Sequence, residues 1–414
     1  MARRAVVHIG TFKTGSTSIQ AFLCENAQRL MAQGVYFPTS LGSPNHHGLA
    51  IYSLSHRETT GLIRYYGLQD REKREARRVE VREALIAELS SLPHSVSTVV
   101  FSNEHLSGLN TTSEVEQLKD LLAPHFDKIE IVVYLRRQDL RIISDYTQKV
   151  RDGYSKRLDL QNYKPSEGLD LLSFLDKWAD VFGAGSIKPR IFSRSDFING
   201  DLIDDFIAAA GIAADETFQR PAIENAGLSH EAIHFLRVFN EFVPHYIDGH
   251  RNPLRQRLLP YFAELFPGDG LRVAKSDVEK LIESVDSSNA AAGEKYFGRK
   301  EVFSRDFSRY ADEPAPDPTF DEAVRIAAAL WNKQAEHVEQ LRNQLAALHV
   351  LVIANSERTK SMVERILSSD DDRKAYFPTL LEVFSALHEE LNETRRQLEL
   401  ERGKNSTPDR RPLG

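Results

Sequence analysis

The sequence has a single cysteine, Cys24, among its 414 residues. One thiol cannot form a disulfide within the chain or supply a cysteine-based metal site, so a reducing cytoplasm is the expected location. The apolar stretch before Gly10 is too short for a signal peptide, and no later apolar run approaches the length of a membrane span. We therefore expect a protein that is neither exported nor embedded in a membrane.

The chain also lacks an excess of positive charge, because its formal net charge at pH 7 is −7. Proteins that bind nucleic acid usually carry a basic surface, so the composition predicts no nucleic-acid partner. A small anionic ligand in a local basic pocket is compatible with this balance. The 41% of hydrophobic residues suffices for one large core or two modest ones.

Short apolar runs rich in β-branched residues alternate with longer amphipathic segments through the first half of the chain. This alternation is typical of βαβ units and predicts an α/β fold, a three-layer parallel sheet flanked by helices. The predicted strands are residues 5–9, 97–102, 128–135 and 187–192. The predicted helices are residues 16–32, 70–92, 114–122, 138–151 and 169–182.

From about residue 202 helical periodicity dominates, notably in residues 229–242 and 277–285, and these helices are expected to complete a first domain of residues 1–311. The proline-rich run of residues 312–318 predicts a semi-rigid linker. Residues 319–402 predict a helical, coiled-coil-like appendage, and the polar tail of residues 403–414 predicts disorder. Apolar residues follow heptad spacing at Val338, Leu341, Leu345, Leu348 and Val352, and again at Leu380, Phe384, Leu387, Leu391 and Leu398. Packing on the chain's own body and self-association into a homo-oligomer are both open.

A glycine-containing loop joins the first predicted strand to the first predicted helix, with the sequence His8-Ile-Gly-Thr-Phe-Lys-Thr-Gly-Ser-Thr-Ser18. Gly10 and Gly15 allow successive backbone N–H groups to point at one phosphate, and the helix dipole adds its positive end. The hydroxyl groups of Ser16, Thr17 and Ser18 can cap the helix or donate to the same phosphate. The loop therefore predicts an anion site.

The position of the lysine sets this loop apart from a Walker A motif, which has Lys directly after its second glycine. Here Ser16 occupies that position, and Lys13 lies inside the loop. Its ammonium group would face a 5′-phosphate and the first bridging oxygen beyond it. A solvated lysine in a simple glycine turn is the alternative interpretation, and a second feature must decide.

That second feature follows the strand of residues 128–135, which ends in Arg136 and continues into a helix that carries Ser144. Open α/β sheets bind their ligands at the carboxyl ends of the strands. An arginine at a strand end and a serine on the next helix can hold one phosphate from two sides, the arginine through two hydrogen bonds.

Together these segments resemble the 3′-phosphoadenosine 5′-phosphosulfate (PAPS) dependent sulfotransferases, and above all the bacterial sulfotransferase-family proteins. The loop of residues 8–18 is similar to their 5′-phosphosulfate loop, and Arg136-Arg-Gln-Asp-Leu-Arg-Ile-Ile-Ser144 to their 3′-phosphate motif. Further similar segments are residues 102–106, 225–229 and 296–303, so that the likeness spans about residues 5–303. The resemblance implies a P-loop-like domain that binds PAPS through residues of both motifs: Gly10, Lys13, Thr14, Gly15, Ser16, Thr17, Ser18, Arg136 and Ser144.

The sequence departs from the family pattern in two places. Many members begin the 3′-phosphate motif with Arg-Asp-Pro, whereas this chain has Arg136-Arg-Gln138. The basic segment that some members lay over the 3′-phosphate has no certain counterpart, and Arg299 with Lys300 is the nearest candidate.

The resemblance implies transfer of the sulfuryl group of PAPS to a hydroxyl or amine acceptor, such as a glycan or another small metabolite, without a metal ion. Lys13 would stabilise the charge on the departing phosphate, and a general base would remove the acceptor's proton. Related enzymes use a histidine or a glutamate at a strand end, and Glu104 and His105 both follow the third predicted strand. We favour Glu104 narrowly, with His105 as base or orienter; either one could instead cap the next helix.

His46 and His47 form a loop pair that could contact the acceptor. Paired loop histidines are more often exposed, and with no third ligand nearby in sequence a metal site is not expected. Two other functions stay open: a P-loop kinase or NTPase, and a non-catalytic nucleotide-binding scaffold that assembles through the C-terminal helices. The displaced lysine argues against the first, and the presence of Lys13, Glu104 and His105 against the second.

Overall fold

The computed structural model describes residues 3–55, 60–161, 163, 170–221, 227–247 and 250–367, with side chains as far as residue 344. Within these residues, five parallel strands form a sheet in the order β2-β3-β1-β4-β5. The strands are β1 (Arg4–His8), β2 (Val35–Tyr36), β3 (Thr98–Ser102), β4 (Lys128–Leu135) and β5 (Ile187–Ile191). A separate antiparallel hairpin is formed by β6 (Tyr246–Ile247) and β7 (His250–Arg251).

Helices make up most of the remaining described residues. They are α1 (Ser16–Glu25), α2 (Ala27–Ala32), α3 (His47–Ser53), α4 (Gly61–Tyr65), α5 (Arg71–Ser90), α6 (Thr112–Leu122), α7 (Gln138–Arg151), α8 (Leu171–Phe182), α9 (Leu202–Ala210), α10 (His230–Phe242), α11 (Pro253–Leu265), α12 (Lys275–Ala292) and α13 (Phe320–Leu367). No helix in the described part of the chain combines the length and apolarity that crossing a lipid bilayer requires.

Alternate residues of the central strands face opposite sides of the sheet, which produces two separate cores. On one side Val7 and its neighbours on β3 and β4 pack with α3, α5, α6 and α8. On the other side Val6 and its neighbours pack with α1 and α9. The predicted three-layer α/β fold is confirmed.

The order of the strands locates the ligand-binding edge. β1 lies at the centre, hydrogen-bonded to β3 on one side and to β4 on the other. After β1 the chain continues to β2 at one side of the sheet, and after β4 it continues to β5 at the opposite side, so the connections that follow β1 and β4 diverge. Open parallel sheets bind ligands in the crevice at the carboxyl ends of such strands. The loop after β1 and Arg136 after β4 both lie at this edge.

The predicted elements agree with the observed ones apart from a few boundaries. The strand of residues 128–135 and the helix of residues 138–151 match exactly, whereas the predicted helix of residues 16–32 is divided at Asn26. The buried amide of Asn26 donates hydrogen bonds to the carbonyls of Phe22 (2.8 Å) and Gln219 (2.9 Å), which ends α1 there. Propensity does not reveal this tertiary contact.

The helices after β5 form a third apolar cluster together with α7. Buried side chains of α7, α10, α11 and α12 meet there, joined by Ile326 and Leu330 from the first turns of α13. The predicted helical second half is therefore present, with the hairpin β6–β7 added to it.

The chain divides into two compact units, Met1–Lys333 and Gln334–Gly414, beyond the boundary expected near residue 312. The proline-rich run contacts the first unit. Asp317 forms an ion pair with Arg157 and lies 3.1 Å from Nδ1 of His234, and the carbonyl of Pro316 lies 3.2 Å from Nε2 of His230. Residues 312–318 thus precede the boundary between the two units. In the second unit, Val338 and Leu341 are exposed on α13; the heptad of residues 380–398 and the tail lie outside the described residues.

Candidate functional site

The loop between β1 and α1 has the conformation that an anion site requires. Gly15 adopts a left-handed backbone (φ 75°) and precedes α1 without any side-chain cap. The first N–H groups of α1 are therefore left for an incoming acceptor. At Gly10 a Cβ atom would lie 2.2 Å from Oγ of Ser16, so only glycine fits this close approach.

Two threonines fix the loop to the sheet. The hydroxyl of Thr11 donates to the carbonyl of Tyr134 on β4 at 2.7 Å, and the hydroxyl of Thr14 donates to the carbonyl of Thr11. Both threonines are buried, which gives Thr14 a structural part in the loop. Oγ of Ser16 is buried without a hydrogen-bond partner, and such a group is costly unless something binds to it.

Lys13 lies in the same loop, among several positive charges. Its Nζ donates to Oε1 of Gln148 at 3.1 Å, and its carbonyl accepts from Nη1 of Arg136 at 2.9 Å. Burial lowers the pKa of Lys13, and the charges of Arg151 and Arg136 lower it further, against a partial offset from Asp145. The electrostatic potential at the site is therefore positive, and a bound anion would reduce the repulsion among these cations.

Arg136 is half-buried at the end of β4, with its guanidinium 5.6 Å from the centre of the Phe192 ring. Burial and the nearby charge of Arg309 lower its pKa. Ser144 lies half-buried on α7, and among the described residues no hydrogen bond joins it to Arg136. Arg309 lies outside the segments that carry a motif, so sequence reasoning missed this additional cation.

The other basic candidates are engaged in ion pairs. Arg299 pairs with Asp196 at 3.3 Å, and Lys300 pairs with Glu294 at 3.4 Å. Arg299 therefore reaches the segment after β5, but no described contact joins it to Arg136. Thr17 is exposed and Ser18 half-exposed on the first turn of α1.

Glu104 follows β3 at the same edge of the sheet and is fixed by amide groups. Its carboxylate accepts from Nε2 of Gln20 on α1 at 3.0 Å and from Nδ2 of Asn45 at 2.8 and 2.9 Å. Burial would raise the pKa of Glu104, but these hydrogen bonds and the nearby His105 hold it below its usual value. Glu104 is consequently ionised at neutral pH.

His105 connects this carboxylate to the phosphate loop. Its ring meets the ring of Phe12 edge to face, with centroids 5.5 Å apart, and the ring of His47 at 5.3 Å. Burial lowers the pKa of His105, partly offset by the charge of Glu104, so the imidazole is neutral at pH 7. Through Phe12, the structure brings the loop that carries Lys13 next to Glu104 and His105.

The two loop histidines have different positions. His46 is fully buried, with Nε2 2.7 Å from the carbonyl of Pro38 and Nδ1 accepting from the N–H of Ser102. It is a core residue, contrary to the expectation that it contacts an acceptor. His47 instead lies beside Glu104 and His105, and these three side chains place donor atoms within 4.8 Å of one another. The fold thus brings two further potential ligands, Glu104 and His105, to His47, whereas His46 takes no part in the cluster.

His8 is a buried polar residue of the site that sequence reasoning did not identify. Its Nδ1 lies 2.8 Å from Oγ of Ser102, while its Nε2 has no partner and is close to Gly10. Burial lowers the pKa of His8 to about 4, so the ring is neutral. Its place at the end of β1 was the only available signal.

The chain shows limited similarity to known proteins. No known family model matches the chain. An uncharacterised protein from Archaeoglobus fulgidus is 30% identical over 210 residues, which are 50% of this chain and 55% of the relative, so the chain spans about half of that protein's length.

Two solved structures share features of the backbone. A sulfotransferase from Alicyclobacillus acidocaldarius covers 69% of this chain and 96% of its own, at 17% identity and a TM-score of 0.35. The sulfotransferase domain of the olefin synthase from Synechococcus PCC 7002 covers 68% of this chain and 94% of its own, at 13% identity and a TM-score of 0.28.

Proposed function

We propose that this chain is a sulfotransferase that uses PAPS as its sulfuryl donor. The observation that carries the proposal is the group of cations at the divergent ends of β1 and β4. Lys13 and Arg136 are joined through the loop backbone, and Arg309 adds a third positive charge. These cations adjoin a glycine loop and an uncapped helix N-terminus, which together suit a ligand with several phosphate-like groups.

The loop suits a nucleotide with a short 5′ group better than a triphosphate. Ser16 occupies the position of the Walker A lysine, and Lys13 lies earlier, with its backbone held by Arg136. In the proposed complex the loop and Lys13 bind the 5′-phosphosulfate, and Ser16 gives its unpartnered hydroxyl to the same group. Arg136 binds the 3′-phosphate, with Ser144 on the other side of that group.

The reaction is an in-line displacement at sulfur. The acceptor oxygen forms a bond to sulfur while the bond from sulfur to the bridging oxygen breaks, which leaves 3′-phosphoadenosine 5′-phosphate and a sulfated acceptor. The electron pair of the broken bond stays on the bridging oxygen, where Lys13 stabilises the charge. The acceptor's proton passes to a base of the protein.

Because of the hydrogen bonds around Glu104, we now favour His105 over Glu104 as the general base. A carboxylate that accepts three N–H bonds is stabilised in its ionised form and is therefore a weak base. His105 is neutral and has the higher intrinsic basicity, and the charge of Glu104 favours the imidazolium that forms. Glu104 thus assists His105 electrostatically.

The acceptor in this proposal is a hydroxyl-bearing molecule such as a glycan or a small metabolite. Oη of Tyr66 lies 2.9 Å from Nδ1 of His47. The ring of Tyr65, which is 67% exposed, has its centroid 5.1 Å from that of Tyr66. Arg251 of the hairpin lies over the Tyr65 ring. These exposed aromatic rings are connected to His105 through His47, and they suit the apolar face of a sugar ring.

A calorimetric titration with 3′-phosphoadenosine 5′-phosphate, AMP and ATP tests the proposal without knowledge of the acceptor. A charge-assisted contact to the 3′-phosphate contributes about 1.5–3 kcal/mol, or roughly 10- to 150-fold in affinity over AMP. Tightest binding of ATP would favour a kinase or NTPase instead. Failure of all three nucleotides to bind would contradict the proposal.

A further inference from the structure

Three side chains beside the phosphate loop form a cluster with potential metal ligands. His47 comes from the start of α3, and Glu104 and His105 from the turn after β3. One donor atom from each lies within 4.8 Å of the others, and all three residues are half-buried. Small side-chain rotations would bring these atoms to the separations found around a bound metal ion.

Neighbouring polar groups orient two of the three donors. Oη of Tyr66 lies 2.9 Å from Nδ1 of His47, and in the tautomer with the proton on Nδ1 the lone pair of Nε2 would face a metal ion. The amides of Gln20 and Asn45 hold the Glu104 carboxylate, whose Oε1 accepts only one of their hydrogen bonds and keeps a lone pair. Metal-binding histidines and carboxylates are usually held by such outer contacts.

The ligand set indicates the class of metal. Two imidazoles and one carboxylate suit divalent transition metals, whereas Mg²⁺ and Ca²⁺ prefer oxygen ligands alone. Three protein ligands also leave a coordination position for water or another small ligand, as in catalytic zinc sites.

We propose that His47, Glu104 and His105 form a binding site for one divalent transition-metal ion of the zinc class. Binding at this site does not require the nucleotide, and the proposed sulfuryl transfer does not require the metal. The ion and a proton would use the same lone pair of His105, so each would exclude the other there.

Calorimetry of the full-length, chelator-treated protein with Zn²⁺, and with Mg²⁺ as a comparison, tests the site. We expect saturable binding of a single zinc ion and no comparable binding of Mg²⁺. His47→Ala and His105→Ala should abolish the zinc binding, whereas the exposed His94 lies outside the cluster and His94→Ala should leave it unchanged. Tyr66→Phe should weaken it by about 10- to 100-fold, the usual effect of losing an outer contact.

Co²⁺ gives a second readout, because its visible absorption reports the coordination of the bound ion. Far-UV circular dichroism and denaturant unfolding of each variant show whether the variant is folded. Zinc binding of equal strength in His47→Ala and the unmodified protein would overturn the site, as would the absence of saturable zinc binding. Neither result would affect the nucleotide proposal, which the titration above tests separately.

Discussion

Lys13 has a left-handed backbone (φ 67°), a conformation that costs a residue with a side chain about 1–2 kcal/mol. The hydrogen bond from Arg136 to its carbonyl helps to hold this conformation. Strained residues persist where the surrounding structure fixes them, often at functional sites. The strain and the positive surroundings together distinguish Lys13 from a solvated loop lysine.

Replacing Lys13 should affect turnover more than affinity. In the proposed reaction Lys13 meets an oxygen whose negative charge grows only as sulfur departs, so its contribution is largest in the transition state. Lys13→Ala should raise the barrier by about 2–4 kcal/mol, measured as release of 3′-phosphoadenosine 5′-phosphate from PAPS. The exposed Lys149, paired with Asp145, offers a control in Lys149→Ala. A loss confined to nucleotide affinity would contradict this role for Lys13.

Substitution of His105 and Glu104 should separate the base from the residue that assists it. If His105 accepts the proton, His105→Ala should reduce the rate about 10²- to 10⁴-fold and leave binding of 3′-phosphoadenosine 5′-phosphate unchanged. Glu104→Gln should have a smaller effect, because it removes charge but not the base. Steady-state rates with an acceptor would decide. An inactive Glu104→Gln beside an active His105→Ala would assign the base to Glu104, and two active variants would move it elsewhere.

The sequence identified some of these residues and missed others for physical reasons. Arg136, Glu104 and Lys13 lie within four residues after the ends of predicted strands, so the strand positions bring them to one edge of the sheet. The periodicity of a loop does not tell which of two adjacent histidines faces the core, and the acceptor role expected for His46 was therefore wrong. Arg309 approaches Arg136 only through the tertiary fold.

At the scale of elements, the loop between β1 and α1 depends on Gly15, whose φ is 75°. Gly15→Ala should destabilise the protein by about 1–2 kcal/mol and weaken binding of 3′-phosphoadenosine 5′-phosphate, because the new Cβ also meets the Leu202 side chain. Gly67 is a matched control, with φ of 65° and no atom within 4 Å of an added Cβ. Gly67→Ala should show a similar loss of stability, measured by denaturant unfolding, with unchanged nucleotide affinity. Equal affinity in both variants would argue against this loop as the phosphate site.

Most elements were predictable because their patterns are long or strongly apolar. The buried strands β1, β3 and β4 read as continuous apolar runs or nearly so, and the amphipathic helices repeat over several turns. In β5 only the two end residues, Ile187 and Ile191, are apolar and buried. β2 has only two residues, too few for any pattern, and was missed. The hairpin β6–β7 was missed for the same reason.

At the scale of the whole molecule, the position of the domain boundary determines which truncation folds. Ile326 and Leu330 of α13 are buried in the cluster with α10 and α12. A chain ending at Lys333 should keep nucleotide binding, whereas one ending at residue 311 should lose about 3–6 kcal/mol of stability, since each buried aliphatic side chain contributes about 1.5–3 kcal/mol. Denaturant unfolding and nucleotide titration of both truncated chains test this. Equal stability of the two truncated chains would support a domain boundary near residue 312.

The proline-rich composition of residues 312–318 predicts a linker, but the same composition also occurs in a packed segment. Proline excludes regular helix but not packing, and an extended segment can lie against a domain through its carbonyls and acidic side chains. Asp317 and Pro316 make such contacts with α10. Composition alone does not separate a packed segment of this kind from a linker.

The most direct measurement compares 3′-phosphoadenosine 5′-phosphate and AMP on the unmodified protein and on Arg136→Ala. The two nucleotides differ only in the 3′-phosphate, so AMP controls for every other contact. If Arg136 binds that phosphate, the unmodified protein should prefer the bisphosphate by roughly 10- to 150-fold. Arg136→Ala should lose most of this preference, and any loss of AMP affinity should be smaller, since that variant also removes the hydrogen bond to the Lys13 carbonyl. An unmodified protein without the preference, or an Arg136→Ala variant that retains it in full, would contradict the assignment of Arg136 to the 3′-phosphate.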